Sequence, residues 1–214
     1  MIEDRPAFIR ANTKLLSPPL VPEIRLHLAE ESLPIWLKTE EELGEINVPP
    51  PFWAFAWAGG QALARYILDN PHIVAGKTVL DLGCGSGLTA IAPMLAGARS
   101  ALATDIDMLA LTSVALNAEA NGVIIETTSA NLLAFPPKPF DVTLVGDLFY
   151  ERAMSEAVLA YIEAAAAKGS VILIGDPQRN YFPRGRFTQV AEYNVPVTRE
   201  LEDSEIKRTA VWRL

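Results

Sequence analysis

The chain has 214 residues, enough for one domain with a sizeable buried core. Half of them are apolar, 21% are charged, and every apolar run is broken well short of the roughly 18 residues a membrane span needs. A net charge of −8 disfavours duplex nucleic acid as a partner, one cysteine excludes an internal disulfide, and two histidines in unrelated contexts argue against zinc.

The start, Met1-Ile-Glu-Asp-Arg-Pro, has neither a basic n-region nor an apolar core, so the expectation is a cytoplasmic protein without a secretory signal. Residues 6–16 read as a short helix stopped by Ser17-Pro-Pro. Residues 23–30 alternate polar and apolar like a half-buried strand. Leu33 to Leu43 carries Trp36 and an acidic run at 40–42, best taken as a solvated helix face. Pro49-Pro-Pro is a stiff hinge. It divides an N-terminal extension, residues 1–48, from a core domain, residues 49–214.

Behind the hinge, Phe52-Trp-Ala-Phe-Ala-Trp-Ala-Gly-Gly leads into a helix over 61–70. The aromatics and the two glycines read either as core and a flexible bend or, with Trp57 foremost, as a cover for a nearby site. The centre of the chain is Lys77 to Gly87. A strand over 78–82 containing Asp81 is followed by Gly83, Gly85 and Gly87 and then by a helix from Leu88. Strand, glycine turn and helix N-terminus together form a nucleotide site, because glycine lets backbone approach a ligand closely. The third glycine comes one residue earlier than in the dinucleotide fingerprint G-x-G-x-x-G.

Ser100 to Asp105 is the second strand. Asp105 falls near the ~20-residue separation at which Rossmann-like units place an acid on ribose hydroxyls. Asp107 reads as the N-cap of a helix over 108–121. The third strand covers 123–129. The fourth, 140–146, is a near-continuous apolar run suited to a central parallel strand, and it ends in Asp147-Leu-Phe-Tyr. Asp147 there is either an N-cap for the helix 152–167 or a group placed for chemistry at the carboxyl edge of the sheet. Residues 171–175 make a fifth strand, and 188–197 with 205–213 form an antiparallel pair.

Asp-x-Gly-x-Gly-x-Gly resembles motif I of the class I, seven-strand methyltransferases that use S-adenosylmethionine and release S-adenosylhomocysteine. The resemblance implies a Rossmann-like α/β fold, a mostly parallel sheet with an antiparallel C-terminal strand and helices on both faces. It also implies that Asp81, Gly83, Gly85, Gly87 and Asp105 hold the cofactor, with Trp57 covering it. Many members carry an acid after the third strand to accept the adenine amino group. Here Asn131 stands in its place.

Trp57-Ala-Gly-Gly-Gln-Ala-Leu, Gly146-Asp-Leu-Phe-Tyr, Gly175-Asp-Pro-Gln-Arg and Thr209-Ala-Val-Trp narrow the resemblance. They are similar to the lysine methyltransferases that act on the β subunit of electron transfer flavoprotein. This implies a protein substrate, with Asp147 aiming the lysine amine and Phe149 and Tyr150 walling its alkyl stem. No metal, nucleic acid or membrane is expected. Transfer to a ribosomal protein or small amine, and a non-catalytic binding module, stay open at this point.

Overall fold

The computed structural model describes residues 2, 4–30, 34–35, 50–197 and 205–214. Of the stretch 33–43 expected to be helical, only residues 34–35 are described, and they are helical; Trp36, the acidic run at 40–42 and Pro49 lie outside the described residues. In chain order, α1 (Arg5–Asn12), β1 (Lys14–Leu16) and β2 (Leu26–Leu28) come before residue 50. After it come α2 (Ala58–Asp69), β3 (Thr78–Leu82), α3 (Leu88–Leu95), β4 (Ser100–Thr104), α4 (Met108–Ala120) and β5 (Glu126–Thr128). The last elements are β6 (Val142–Gly146), α5 (Arg152–Ala167), β7 (Val171–Asp176), β8 (Thr188–Pro196) and β9 (Ile206–Arg213).

Seven of these strands form one sheet in the order β5-β4-β3-β6-β7-β9-β8. The pairs from β5 to β7 are all parallel, and β9 enters antiparallel between β7 and β8. Strand alternation feeds two cores. Val79, Val142, Leu144 and Leu173 face one side with α2 and α3, and Leu80, Leu82, Val145, Ile172 and Ile174 face the other with α5. Helices thus cover both faces, as an apolar parallel sheet requires.

The register puts the chemistry on one edge. Leu82 pairs with Thr104 and Val145, and Gly146 pairs with Gly175. The next residues in each strand's path, Gly83, Asp105, Asp147 and Asp176, therefore line the carboxyl edge together, where open α/β sheets bind ligands.

Several boundaries differ from the sequence reading. The first helix stops at Asn12, because Thr13 is extended and Lys14–Leu16 pairs antiparallel with Leu26–Leu28. Asp4 caps that helix by accepting the Ala7 amide at 2.9 Å. The third parallel strand shrinks to Glu126–Thr128, and Ile124 before it is 86% exposed. Gly59-Gly60 is no flexible bend but the first turn of α2. A Cβ on Gly59 would lie 2.7 Å from the carbonyl carbon of Gly175 and 2.5 Å from Asp147 Oδ2, so glycine is needed there for close packing.

The N-terminal segment is built into the same core. Val21, Ile24, Leu26 and Leu28 are buried with α2, α3 and the sheet. Asn117, fully buried in α4, accepts the His27 amide at 2.7 Å and donates to the Ser86 carbonyl at 2.8 Å, tying β2 to the glycine turn. No helix among the described residues is long and apolar enough to cross a membrane.

Candidate functional site

Beyond β3 the chain turns through Gly83, Gly85 and Gly87 with φ of 68°, 49° and 79°, a region that L side chains enter only with strain. Two of the three are also fixed by packing. A Cβ at Gly83 would meet Leu148 Cδ2 at 2.7 Å, and one at Gly87 would meet Val114 Cγ2 at 2.9 Å. Gly85 differs, since the nearest atom to its Cβ position is 3.8 Å away. It faces a cavity of about 1040 Å³ at the sheet edge, the size of a large small-molecule site.

Asp105 stands on the cavity wall. Its Oδ2 accepts the Gly85 amide and its Oδ1 the Asp107 amide, both at 3.0 Å, so it also shapes the turn. Burial raises its pKa against the pull of those amides. Asp107 caps α4 as expected, accepting the Leu109 amide at 2.8 Å. Asn131 is exposed on the cavity rim and accepts the Leu133 amide at 3.1 Å, which makes it the cap of a short 3₁₀ turn.

Asp81 departs from expectation. It is fully buried behind the turn and off the cavity lining, so it is not a wall residue. Its Oδ1 accepts the Thr89 hydroxyl at 2.8 Å, and Thr89 does line the cavity. Its Oδ2 is buried without a partner. Desolvation pushes this carboxyl up to about 7, with Asp105 adding to the shift and the Thr89 hydrogen bond opposing it.

Asp147 sits at the other side of the cavity with φ 58°. Its amide donates to the Gly175 carbonyl at 3.0 Å, and its Oδ2 accepts the Gly60 amide at 2.9 Å. Its Oδ1 accepts two bonds from Arg179, Nε at 2.9 Å and Nη2 at 2.7 Å. It is not the cap of α5: Glu151 holds that position, without a side-chain bond. Asp147 instead caps α2 across space, an arrangement reached only because Gly59 and Gly175 let the helix and β7 touch.

The aromatic residues divide. Tyr150 is 42% exposed and lines the cavity, its hydroxyl pKa raised by burial and by Glu151 and Asp105. Its ring packs on Phe52 at 5.4 Å, and Phe52 meets Trp57 edge-on at 5.7 Å. Trp57 is anchored by its indole N–H to the Phe52 carbonyl at 2.9 Å. Phe149, expected beside Tyr150, is fully buried in the α5 core against Phe182 and Phe187, and Leu148 takes the wall instead.

The sequence reading did not single out Arg179 or Thr89 for the site, and it took Phe52 only as part of the aromatic stretch. Arg179 lies on the cavity lining, and its guanidinium stands 5.6 Å from the centre of the Trp57 ring. The Gly175-Asp-Pro-Gln-Arg run, following β7 on the same sheet edge, was the signal that could have found it.

Among known proteins, residues 61–173 match the family model described as ribosomal protein L11 methyltransferase (PrmA). The electron transfer flavoprotein beta subunit lysine methyltransferase of Danio rerio is 36% identical over 218 residues, covering 99% of this chain and 83% of that one. The Homo sapiens protein of the same name is 35% identical over 217 residues, with 96% and 80% covered. The chain belongs to the electron transfer flavoprotein β subunit lysine methyltransferase family. It is accordingly an S-adenosylmethionine-dependent methyltransferase with the class I fold. A solved structure with the same fold is the N-methyltransferase NodS of Bradyrhizobium japonicum with S-adenosyl-L-homocysteine (TM-score 0.51, 16% identity, 72% of this chain and 84% of that one).

The cavity fits such a cofactor. Gly85 leaves open the space that a Cβ would fill, and Asp105 offers a carboxylate beside it. Among the described residues, no group of three or more His, Cys, Asp or Glu side chains is arranged to hold a metal ion.

Proposed function

We propose that this protein transfers methyl groups to lysine ε-amines of the β subunit of electron transfer flavoprotein. The observation that carries this reading is Asp147, which lines the glycine-turn cavity together with Trp57 and Tyr150 and whose carboxylate is held by Arg179. The nearly full-length match to relatives of that name supports the substrate. In this reading residues 49–214 carry the chemistry, and residues 1–48 brace it through Val21, Ile24, Leu26 and Leu28. A cytoplasmic location belongs to the same proposal, supported by a lone cysteine, Cys84, that is buried.

Gly83, Gly85 and Gly87 would cradle the methionine portion of the cofactor, Asp105 the ribose hydroxyls, and Asn131 or its neighbouring amides the adenine. Asp81 would act through Thr89. When bound, S-adenosylmethionine supplies an electrophilic methyl group on a sulfonium. The residues of the chain do the positioning. A lysine ammonium has no lone pair, and a site that is partly dry lowers its pKa so that the proton leaves to water. Asp147 would accept a hydrogen bond from the resulting amine and aim it. Tyr150 and Leu148 would flank the alkyl stem, with Tyr150 attracting the cation on entry.

The match of residues 61–173 to the L11 methyltransferase model favours a second reading, a ribosomal protein as acceptor. Purified enzyme and cofactor are to be incubated separately with folded electron transfer flavoprotein and with ribosomal protein L11, then read by intact-protein mass. The expected result is a ladder of methyl-sized steps on the flavoprotein β subunit. Steps on L11 alone would overturn the first reading in favour of the second.

A further inference from the structure

We propose that Arg179 is the positioning residue of the amine site, holding Asp147 in place and supplying the positive charge that lets Asp147 and Asp176 sit side by side under α2. The inference rests on the reading of Asp147 as the group that aims the amine.

Three observations meet here. First, Asp147 and Asp176 follow the paired residues Gly146 and Gly175 of adjacent strands, so the sheet brings two carboxylates together at its edge. Asp176 is fully buried, and its Oδ2 has no hydrogen-bond partner. Second, Arg179 connects the two acids. Its backbone N–H donates to Asp176 Oδ1 at 2.7 Å, while its guanidinium closes on Asp147 Oδ1. Third, Trp57 stands over the guanidinium on the cavity side. The aromatic cover thus restrains the same side chain that restrains Asp147.

Like charges at close quarters do not both ionise without a compensating cation. Desolvation already lifts Asp176 to about 7, with Asp147 adding to the rise and Arg179 opposing it. The other titratable groups around the cavity near Asp147 are Tyr150 and Glu151 on its own loop and Asp105 opposite. Among the described residues, none of these is a cation. Without the guanidinium the proton would stay on the pair to higher pH, and Asp147 would keep only the Gly60 amide to hold it toward the amine it must aim.

The test is Arg179→Gln, made alone and with Asp176→Asn, measured with flavoprotein substrate at saturating cofactor beside thermal melts. Arg179→Gln is expected to lower kcat at least 10-fold at pH 7, with S-adenosylhomocysteine affinity within about 3-fold of wild type, and to regain part of the loss by pH 9 as the pair ionises. Adding Asp176→Asn, which still accepts the residue 179 amide, is expected to restore activity at pH 7 by relieving the repulsion. A loss that neither higher pH nor the second substitution recovers would overturn the proposal, because a purely structural role predicts that pattern. Should Arg179→Gln fail to fold, Arg179→Lys keeps the charge, and its kcat must then exceed that of Arg179→Met at equal melting temperature. Asp147→Asn separates the two readings: wild-type turnover there removes the aiming role itself, whereas an inactive Asp147→Asn beside a fully active Arg179→Gln removes only the role of Arg179.

Discussion

The carboxylate of Asp147 accepts the amide of Gly60, 87 residues earlier in the chain, at 2.9 Å. One side chain therefore joins the start of α2 to the end of β6, and it does so on the wall of the cofactor cavity. Gly59 makes the approach feasible, since a side chain there would run into both Asp147 and the Gly175 carbonyl.

Asp147→Asn tests what that carboxylate does. An amide in its place turns an NH₂ toward either the Gly60 N–H or the Arg179 guanidinium, both donors, so a stability loss of about 1–3 kcal/mol is expected. Turnover is expected to fall further, by about 10²-fold or more, as a misaimed nucleophile does. Kinetics well below the melting point, with cofactor affinity from calorimetry, check this. Wild-type turnover in a folded variant would leave Asp147 as a cap alone.

Gly85 and Gly122 make a controlled pair. Both have positive φ, 49° and 66°, and neither crowds a neighbour. Alanine at either position is expected to cost roughly 1–2 kcal/mol of backbone strain. Gly85→Ala alone should also place a methyl group in the cavity and weaken S-adenosylhomocysteine by at least about 10-fold. Equal cofactor affinity in the two variants would mean that the turn does not touch the cofactor.

Asp105→Ala should weaken cofactor binding by about 1.5–3 kcal/mol, the scale of hydrogen bonds to a charged group. The Gly85 and Asp107 amides lose their acceptor as well, so part of the loss will come from a loosened turn. Calorimetric titration with adenosine separates the two contributions. Retained adenosine affinity would place the ribose elsewhere.

Stability of the cofactor-free protein should fall with rising pH. Asp81 and Asp176 are both raised from 3.8 to about 7, so between those values the folded state holds protons that the unfolded chain has released. The stabilisation is full below about 4 and is lost as pH climbs through 7, at about 1.4 kcal/mol per pKa unit for each group. Urea melts at pH 5 and pH 8 check the slope, and Asp81→Asn should flatten it. Equal stabilities for wild type at the two pH values would contradict the prediction.

The sequence made the sheet edge legible because its signals are local. A β-rich run, alternating glycines and an apolar helix start lie within a few residues of one another at 78–90, and Asp105 follows at a fixed interval. What it concealed were consequences of pairing across long separations. Arg179 meets Asp147 only because β6 and β7 are neighbours. The resemblance implies that Phe149 and Tyr150 both wall the lysine, but after the left-handed turn at Asp147 the chain sends Phe149 into the α5 core and leaves Tyr150 on the cavity. The Gly59-Gly60 pair carries poor helix propensity, and tertiary packing against Gly175 overrides it.

The antiparallel entry of β9 also sets an order of events during synthesis. Strands β3 to β7 can pair as they emerge, but the free edge of β7 waits for the sheet strand made last, since β8 reaches β7 only through β9. Trp212 of that strand donates its indole N–H to the Asp176 carbonyl at 3.3 Å. A ribosome-bound nascent chain halted before β9 would therefore carry its glycine turn and the first acids of the cofactor site, while the Asp176 end of β7 still lacked its neighbouring strand and the Trp212 bond. The capacity to hold cofactor would arise earlier in the life of the molecule than the capacity to spend it on an amine.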